Sequence, residues 1–496
     1  MRVAVVGSGV SGLGATWLLN EHSEHEVHLY EADSRPGGHA NTVPFAMPGK
    51  EAVEVDSGFI VFNPSTYPNF LRFLRKYTSV EILPTEMTFS VSRDHGAFEW
   101  SGKNPGTVFA QRKRLLDPRM WRMVYDVTRF NACATKVLSE DCEDLSIGEY
   151  LEREGYSDGF RDDYLIPMTA AIWSTPPDVC ALDFPAKTLV RFMENHHLLQ
   201  LTARPSWLTI KGGSKQYVNT ILDKLPKSQL HLSTPVVSIH SEPAADGSSG
   251  FKIVLKTAAG ATETYDHVIL ACHSDQALRM LSEPTEEEKR ILGGFRWSQN
   301  EVVVHADEDL MPRDKSTWSC WNYLTFTTQD SRGGKKANVN EIAMTYWMND
   351  LQHIPLDAHG PVFVTINAPR APAPSKFLSR IAYAHPVLDA QAVRSQADMP
   401  FIQGTRGISY AGAWMRYGFH EDGFTAGLQA AAALIPGAGK GLPFEIVLAE
   451  REVERWRDRV QGAFEVLEAW GVRAAVGALL SFFLAVLRML LGVRTD

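Results

Sequence analysis

A short polar cluster near the end of the chain has the residue types that proton chemistry requires. His420, Glu421 and Asp422 follow one another inside the glycine-rich segment "YAGAWMRYGFHEDGFTAGLQAAAAL", residues 410–434. An imidazole and a carboxylate can each hold or transfer a proton, so His420 and Glu421 are candidate catalytic residues. The alternative is a solvated helix cap in which neither side chain has a chemical role.

A helix is expected directly after this cluster. The alanine-rich run Phe424–Leu434 predicts it, and Asp422 is a residue type that caps helix N-termini. Such an end presents unpaired N–H groups and a partial positive charge, which favour a ligand that carries or gains negative charge. The segment therefore predicts a helix end that faces a ligand.

The start of the chain carries a second motif. "RVAVVGSGVSGLGATWLL", residues 2–19, places Gly7-x-Gly9-x-x-Gly12 between an apolar β run and a helical run. In a dinucleotide-binding turn, the first glycine makes the bend, the second admits a pyrophosphate, and the third lets helix and strand pack. A second strand ends in Glu31, about 20 residues further on, where an acidic side chain can bind a ribose. Because the first strand begins at once, no cleavable signal peptide is expected.

The residues after Glu31 narrow the cofactor. Glu31-x-x-x-Arg35-x-Gly37-Gly38 resembles the extended FAD fingerprint of the flavin amine oxidase and phytoene desaturase superfamily. Two adjacent glycines permit a backbone approach that a Cβ would block. In that superfamily the glycine pair passes close to the flavin and the arginine approaches the pyrophosphate. The resemblance favours FAD over NAD.

Later segments resemble the remaining cofactor elements of the same superfamily. Residues 207–225 resemble its Gly-Gly segment. Val236 or Val237 falls where the superfamily contacts adenine through the backbone. Residues 410–434 resemble the closing FAD motif, with Gly412 near the ribityl phosphate. The cofactor-binding residues that the resemblance implies are Gly7, Gly9, Ser11, Gly12, Glu31, Arg35, Gly37, Gly38, His39, Val237, Gly412, Asp422, Gly423 and Phe424.

The closing motif departs from the superfamily at one point. Many relatives have an acidic residue soon after its Ala-Gly, whereas this chain has Ala413 and Trp414. Flavin binding is expected to survive this change, with contacts to the ribityl chain that differ from the usual ones. No cysteine lies near this motif, so noncovalent FAD is expected.

The order of these motifs predicts an interrupted domain. The expected fold class is α/β: a Rossmann-like, GR2-type FAD-binding domain, a mixed α+β substrate domain inserted into it, and a C-terminal helical tail. The first insert is expected to be mainly helical and the second mainly β. The predicted boundaries are 1–62, 204–290 and 400–435 for the FAD-binding domain, 63–203 and 291–399 for the substrate domain, and 436–496 for the tail.

The inserts resemble a narrower branch of the superfamily. The segments "AAIWSTPP", "FPAKTLVRFMENHHLL", "WSCWNYL" and "YWMNDLQ" together are similar to flavin amine oxidase-like proteins associated with modification of unsaturated or cyclopropane fatty acids. Large aromatic rings could line a tunnel for an acyl chain. Candidate pocket residues are Trp173, Trp321, Tyr323 and Trp347; the alternative for each is a place in the core.

Composition excludes several other classes of protein. The net charge of -9 gives no reason to expect nucleic acid as a partner. The five cysteines are scattered without metal-ligand spacing and indicate reduced thiols. No HExxH or GxSxG motif supports a metalloprotease or a serine hydrolase. No metal is expected.

The tail has a composition of its own. A charged amphipathic run, residues 444–471, precedes a run that is apolar on every face from Ala474 to Leu487. A bilayer span needs about 20 apolar residues, a length that is reached here only by including Arg473 and Arg488. An interfacial anchor, a full span and a helix docked on the enzyme remain open. The expected location is intracellular, at the cytoplasmic face of a membrane.

These motifs together predict an FAD-dependent oxidoreductase. The expected substrate is hydrophobic, an unsaturated fatty-acyl chain or another lipid, and the expected reaction is dehydrogenation by hydride transfer to flavin N5. Three alternatives stay open: a flavin amine or amino-acid oxidase, a redox-neutral fatty-acid double-bond isomerase, and a noncatalytic FAD-stabilised membrane scaffold.

Overall fold

The computed structural model describes most of the chain. The described residues are 1–142, 145–173, 182, 184–200, 205–243, 250–329, 335–337, 343–437, 441–448 and 456–491.

A parallel sheet forms the first layer of the molecule. Its five strands, in spatial order, are Ile408–Tyr410, His267–Leu270, Arg2–Val6, Glu26–Tyr30 and Leu230–His231. The central strand is an apolar run buried on both faces, as parallel strands covered by helices usually are. Two helices, Val10–His22 and His420–Ala432, pack closely against each other beside it.

A seven-stranded sheet forms the second layer. Its strands, in spatial order, are Phe377–Val387, Arg296–His305, Phe363–Ile366, Ala343–Trp347, Trp321–Thr325, Phe89–Arg93 and Phe98–Ser101. All neighbours are antiparallel except Trp321–Thr325 and Phe89–Arg93, which run parallel. The insert expected to be mainly helical thus contributes two strands here. Both strands are buried on both faces, since polar residues such as Ser90 and Ser101 are as inaccessible as the apolar residues between them.

Smaller sheets connect these layers. They are the three-stranded sheet Val236–Pro243, Phe251–Thr257 and Thr262–Tyr265, and the pairs Thr42–Phe45 with Val53–Asp56, Ile82–Thr85 with Trp207–Ile210, and Thr327–Gln329 with Lys335–Ala337.

Helices cover both sheets. Within the described ranges, the other α-helices are Pro68–Leu74, Pro105–Val108, Pro118–Cys133, Ile147–Arg153, Asp158–Phe160, Ile166–Trp173, Ala186–Asn195, Lys215–Leu222, Ser274–Met280, Glu286–Leu292, Met348–Leu351, Leu356–His359, Ala390–Asp398, Trp456–Ala469 and Val472–Leu491. One expected boundary was wrong. The helix of the closing motif begins at His420, not at Phe424, and its N-cap residue is Phe419.

Three large apolar cores follow these layers among the described residues. Two lie on opposite faces of the parallel sheet, one with Trp17 and Phe424 and the other with Trp414; the third lies between the seven-stranded sheet and the helices of the first insert and includes Phe130 and Tyr323. The expected fold class, a Rossmann-like α/β unit with a second mixed unit and C-terminal helices, is confirmed. The domain boundaries stay a prediction.

The tail helices lie against the first insert. Tyr125 donates a hydrogen bond to Glu468 at 2.6 Å, and Lys136 pairs with Glu465 at 2.7 Å. Within the described residues, no single helix is long and apolar enough to cross a membrane. The helices Arg459–Ala469 and Val472–Leu487, bent by 67° at their junction, meet that test only as a pair.

Candidate active site

One large cavity lies between the two sheets. Its volume is about 1200 Å³, and its walls include residues from the ends of the parallel strands and from the strand Phe377–Val387 of the seven-stranded sheet. Drug-sized ligands occupy pockets of roughly 300–1,000 Å³. This cavity therefore has room for a large cofactor and part of a substrate.

The fingerprint glycines play different roles in its wall. A Cβ on Gly7 would lie 2.6 Å from the carbonyl oxygen of Ala271, and one on Gly12 would lie 1.8 Å from that of Gly7, so both are required by packing. A Cβ on Gly9 would meet no protein atom within 4 Å. Gly9 lines the cavity, and the open space beside it is where a ligand can approach the backbone.

Glu31 is held at the end of its strand. Its carboxylate accepts hydrogen bonds from the backbone N–H of Ser8 at 2.9 Å, the hydroxyl of Ser8 at 2.5 Å and the N–H of Asp33 at 2.9 Å. A carboxylate has about four acceptor positions. Glu31 lines the cavity and so keeps capacity for one further donor, such as a ribose hydroxyl.

The loop after this strand is shaped by Arg35 and the glycine pair. The Arg35 guanidinium donates to the carbonyl oxygens of Gly38 at 2.8 Å and Pro36 at 3.0 Å, so it braces its own loop. Gly37 has φ +109°, and a Cβ there would lie 2.5 Å from a backbone oxygen. Arg35 and Gly38 line the cavity, whereas Gly37 fixes the loop from behind.

Two further predicted positions lie on the same wall. Val237 lines the cavity and is 47% exposed. Gly412 lines it too, but its lack of a Cβ has a local cause: a Cβ would lie 2.0 Å from the indole nitrogen of Trp414. That indole donates to the carbonyl oxygen of Cys272 at 3.0 Å.

The closing helix contacts the cavity only through its first residue and the residues before it. Gly418, Phe419 and His420 line the cavity. Asp422 turns back to accept a hydrogen bond from the N–H of Phe419 at 3.0 Å, and burial raises its pKa to about 6. Asp422 therefore caps its own helix from the third position.

Two more residues of this helix serve packing instead of ligand contact. A Cβ on Gly423 would lie 2.7 Å from Val10, so Gly423 admits the fingerprint helix. Phe424 is fully buried and packs on Phe73 and Trp17. Among the described residues, the cavity wall does not include Asp422, Gly423 or Phe424, so their side chains serve the helix and its packing, and the approach of this helix end to the cofactor stays a prediction.

Glu421 does not face the cavity. Its two carboxyl oxygens accept hydrogen bonds from the backbone N–H groups of Asn69 at 2.9 Å and Phe70 at 3.0 Å, near the N-terminus of the helix Pro68–Leu74. Burial raises its pKa to about 8. Its role is to join two helices, and its candidacy as a catalytic residue is withdrawn because its carboxylate is buried away from the ligand space.

His420 does face the cavity. Its Nε2 atom lies 2.8 Å from the hydroxyl of Tyr217, and its ring stacks on Phe59 with centroids 3.7 Å apart. Burial lowers its pKa to about 3, so the imidazole is neutral. With one ring nitrogen engaged by a tyrosine, His420 is a rigid polar wall residue.

His39 is a second imidazole in the cavity wall. Its buried Nε2 atom has no hydrogen-bond partner among the described residues. Its ring stacks on Tyr383 with centroids 4.6 Å apart. Burial lowers its pKa well below 6.5, so the imidazole is neutral. His39 was expected to bind the cofactor, and its free nitrogen gives it a chemical capacity as well.

The predicted aromatic wall is present only in part. Trp321 lines the cavity and packs edge-on against Tyr346 at 5.2 Å. Tyr323 is buried in the core, and Trp347 packs against Trp318 with centroids 5.5 Å apart. Neither of these two belongs to the described wall, so their expected place in the pocket was wrong. The side chain of Trp173 lies outside the described residues.

Sequence reasoning missed much of the apolar half of the cavity. We call this half the chamber; its walls include Val43, Ile60, Val61, Met87, Phe192, Leu198, Trp207, Trp321, Tyr346, Ile381 and Tyr383. Most of these lie in loops or short strands without a recognisable motif. One signal was available: Tyr383 and His385 are two residues apart on a strand and so share a face.

The charges in the described wall are unevenly placed. Its carboxylates are Glu31 and Asp33, both at the nucleotide-binding turn, and its arginines are Arg35, Arg279 and Arg380, whereas the residues named as the chamber are apolar or neutral. Burial lowers the pKa of His385 and of His273 to about 4, so these imidazoles are also neutral. Within the described residues, no cluster of His, Cys, Asp or Glu could hold a metal ion.

The geometry fits an FAD. Gly9 leaves open space at the start of the helix Val10–His22, whose first N–H groups have no partner within the helix and suit a pyrophosphate. Glu31 retains an acceptor for a ribose. The wall then continues past Gly38 and Gly412 to the closing helix, so an extended cofactor can reach the chamber.

Comparison with known proteins agrees with this fit. The model of the family described as flavin containing amine oxidoreductase matches residues 10–306, more than half of the chain. The fatty-acid branch suggested by the sequence is not confirmed by this match.

Several solved structures have the same fold. The chain is similar to the CLA-producing fatty acid isomerase from P. acnes, with a TM-score of 0.58 and 13% identity over 87% of this chain and 98% of that one. It is similar to cyclohexylamine oxidase from Brevibacterium oxydans IH-35A, with a TM-score of 0.60 and 13% identity over 87% and 98%. It is also similar to reduced UDP-galactopyranose mutase, with a TM-score of 0.58 and 16% identity over 93% of this chain and 98% of that one. At such identities the likeness shows the fold alone.

Proposed function

We propose, from the premise that this chain belongs to the family of flavin containing amine oxidoreductases and is an FAD-dependent enzyme, that its substrate is a hydrophobic molecule of the fatty-acyl or lipid class. The proposed reaction is dehydrogenation of a carbon chain. Amine oxidation and double-bond isomerisation are the competing reactions.

The chamber is the observation that carries this proposal. Its described walls are apolar and aromatic, and the carboxylates of the cavity, Glu31 and Asp33, lie at the nucleotide-binding turn. A protonated amine in the chamber would lose its hydration without gaining an anionic partner there, which is costly. An uncharged hydrocarbon segment would instead gain from the burial of its apolar surface.

The electron balance of the proposed reaction is simple. One carbon of the substrate loses a hydride, the neighbouring carbon loses a proton, and a carbon–carbon double bond forms. Bound FAD supplies the hydride acceptor at its N5 atom. The protein must therefore orient the chain, exclude water and take up one proton.

We propose His39 as the proton acceptor. His39 lines the cavity, and its Nε2 atom, which is shielded from solvent, has no partner among the described residues; burial lowers its pKa and keeps the imidazole neutral. The Tyr383 ring stacked at 4.6 Å can stabilise the imidazolium that forms. The hydroxyl of Tyr383 is held by Ser57 and Asn41 at 2.9 and 3.0 Å, which fixes the pair. His420 then orients the substrate.

Replacement of the two histidines tests these roles. His39→Ala should retain the yellow cofactor and slow substrate-driven flavin reduction by about 10²–10⁴-fold, the usual contribution of a general base. His420→Ala should weaken substrate binding more than it slows reduction. Tyr383→Phe is the matched control, because it keeps the stacked ring and removes only the hydroxyl. An unchanged reduction rate in His39→Ala would refute the assignment.

We also propose that FAD is bound noncovalently. Cys272 is a thiol in the described cavity wall, and burial raises its pKa to about 12, so it is a poor nucleophile. Acid precipitation of the purified protein should release all of the flavin into the supernatant. Flavin that stays with the pellet would contradict this.

Anaerobic single-turnover spectroscopy tests the substrate class. Unsaturated and saturated acyl lipids and primary amines are each mixed with the FAD-loaded enzyme, so that no further electron acceptor is required. Bleaching of the flavin by an acyl lipid, with a new double bond in the product, is the expected result. Bleaching by amines alone would favour an amine oxidase, and a shifted double bond without net bleaching would favour an isomerase.

We propose, finally, that the tail, residues 436–496, associates with a membrane. The support is the exposed apolar surface of its last helix, Val472–Leu491. A hydrophobic substrate dissolved in that membrane would then reach the enzyme without crossing water.

A further inference from the structure

The last helix of the tail has an exposed apolar side. Val476, Leu479, Phe483, Val486 and Leu490 recur at intervals of three and four residues and are all exposed, with Leu479 at 70%. Soluble monomers rarely expose contiguous apolar patches of this kind without a partner.

Another side of the same helix is already used by the protein. Leu484 is buried, and Leu480 and Leu487 are half-buried. The bend before the helix is held by Arg473, which pairs with Glu468 at 2.9 Å and donates to the carbonyl oxygen of Gly155 at 3.2 Å. A helix docked along one side cannot be surrounded by lipid, which favours a position in the membrane surface instead of a span.

A second, distant segment extends this surface. The turn Arg112–Leu116 lies against the tail helix. Leu115 in this turn is exposed, and the partly exposed Trp121 donates from its indole nitrogen to the carbonyl oxygen of Leu115 at 2.8 Å. Tryptophan with one wet and one apolar edge is typical of membrane interfaces.

This surface carries exposed cations in a chain of net charge -9. Residues 111–125 contain five basic side chains and one acidic one, and residues 472–491 contain two arginines and no acidic residue. Two of the cations, Arg114 and Arg122, pair with Asp117 and Asp126. Arg112, Lys113 and Arg119 are exposed. Apolar side chains bordered by exposed cations match an anionic lipid surface.

We infer that the turn Arg112–Leu116, Trp121 and the helix Val472–Leu491 form one composite surface, which seats the enzyme in the plane of an anionic bilayer. A second copy of the chain is a poorer occupant, because a twofold interface would bring the two basic segments together. The inference rests on the proposed membrane association and deepens it: it names the second element, the depth and the lipid charge. It does not depend on the identity of the substrate.

Vesicle flotation of the purified, FAD-loaded full chain tests the inference. The vesicles are phosphatidylcholine alone or phosphatidylcholine with about a third phosphatidylglycerol. The combined variant Arg112→Gln, Lys113→Gln, Arg119→Gln should bind the anionic vesicles about a hundredfold more weakly, since each cation near such a surface contributes about fivefold. Its binding to neutral vesicles should not change.

A matched charge control uses three exposed basic residues on other elements. Lys227→Gln, Lys256→Gln and Arg394→Gln together change the net charge equally and should leave binding to anionic vesicles at the parental level. Phe482→Ser with Phe483→Ser, which removes exposed apolar rings, should weaken binding to both kinds of vesicle.

Three outcomes would overturn the inference: equal loss in both charge variants, no preference for anionic vesicles, or a dimer that Phe482→Ser with Phe483→Ser converts to a monomer while vesicle binding is absent. Flavin reduction by a detergent-dispersed acyl substrate is measured on the same samples. Because that assay needs no vesicle, failure of the proposed reaction and failure of the proposed surface are distinguished.

Discussion

At the scale of single residues, the fingerprint glycines differ in what a side chain would meet. A Cβ on Gly9 has open space in the protein, and its φ of -63° suits any residue, so the chain itself does not require glycine there. We therefore expect Gly9→Val to fold normally and to purify without FAD, because the side chain would occupy the space that the pyrophosphate needs. Flavin absorbance per protein measures the loss of FAD, and thermal melting measures whether the variant folds normally.

Two controls sharpen this prediction. Gly462→Val also has an open Cβ position and a negative φ but lies on a tail helix, so it should keep its flavin. Gly12→Val should fail to fold, because its Cβ would lie 1.8 Å from the carbonyl oxygen of Gly7. If the purified Gly9→Val protein retained its flavin, the pyrophosphate would not bind beside Gly9.

Glu421 makes a prediction about stability and pH. Burial raises its pKa from 4.5 to about 8 in the folded protein. The folded state thus holds this proton more tightly than the unfolded state. Its contribution to the free energy of unfolding is fully present below pH 4.5 and is lost as the pH rises to about 8.

The variant Glu421→Gln should remove this dependence. It should melt below the parental protein at about pH 5, because an amide accepts poorly from the two backbone N–H groups, a loss of about 1–3 kcal/mol. The difference in melting temperature should shrink or reverse at about pH 8.5, because the parental carboxylate is then ionised and its buried charge destabilises the folded state. FAD content and flavin reduction should stay parental. A pH-independent difference in melting temperature would argue against a buried, protonated Glu421.

At the scale of elements, the closing helix is positioned by its contact with the fingerprint helix. A Cβ on Gly427 would lie 2.0 Å from the carbonyl oxygen of Ser11. We expect Gly427→Ala to destabilise the protein by about 1–3 kcal/mol, as overpacking usually does. It should also lower FAD occupancy, because the shifted helix carries His420 and Gly418 with it. Gly462→Ala, at an open helical position, should instead stabilise slightly. Equal melting temperatures for the two variants would contradict the proposed close contact between the closing helix and the fingerprint helix.

Elements with a local signature were predictable from sequence. The strand Arg2–Val6 and the helix after it follow from apolar period and glycine spacing alone. The start of the closing helix was not predictable in this way. Asp422 caps the helix from its third position, and the sequence does not distinguish a cap at that position from a residue at the N-cap itself. The long strand Phe377–Val387 was missed because it contains Pro386 and only weak alternation, and its pairing with Arg296–His305 is a tertiary contact.

At the scale of the whole molecule, the cofactor half of the site was predictable and the substrate half was not. Gly9 and Glu31 come from a short motif with fixed geometry. The chamber is assembled from side chains far apart in sequence, as Asn41 and Tyr383 illustrate with a hydrogen bond across 342 positions. Aromatic residue type alone could not separate Trp321, which lines the cavity, from Tyr323, which lies two residues further along the same face of the strand and is buried in the core.

The chamber should therefore limit the length of the substrate without affecting the cofactor. Met87 lies in its wall, in the loop between the strands Ile82–Thr85 and Phe89–Arg93. A larger ring there would fill space that a long chain needs, so Met87→Trp should raise KM for long acyl substrates by about tenfold or more. Short substrates should be less affected and FAD content unchanged. Met87→Leu, which conserves volume, is the control. A uniform loss of activity at every chain length would place the acyl chain outside this chamber.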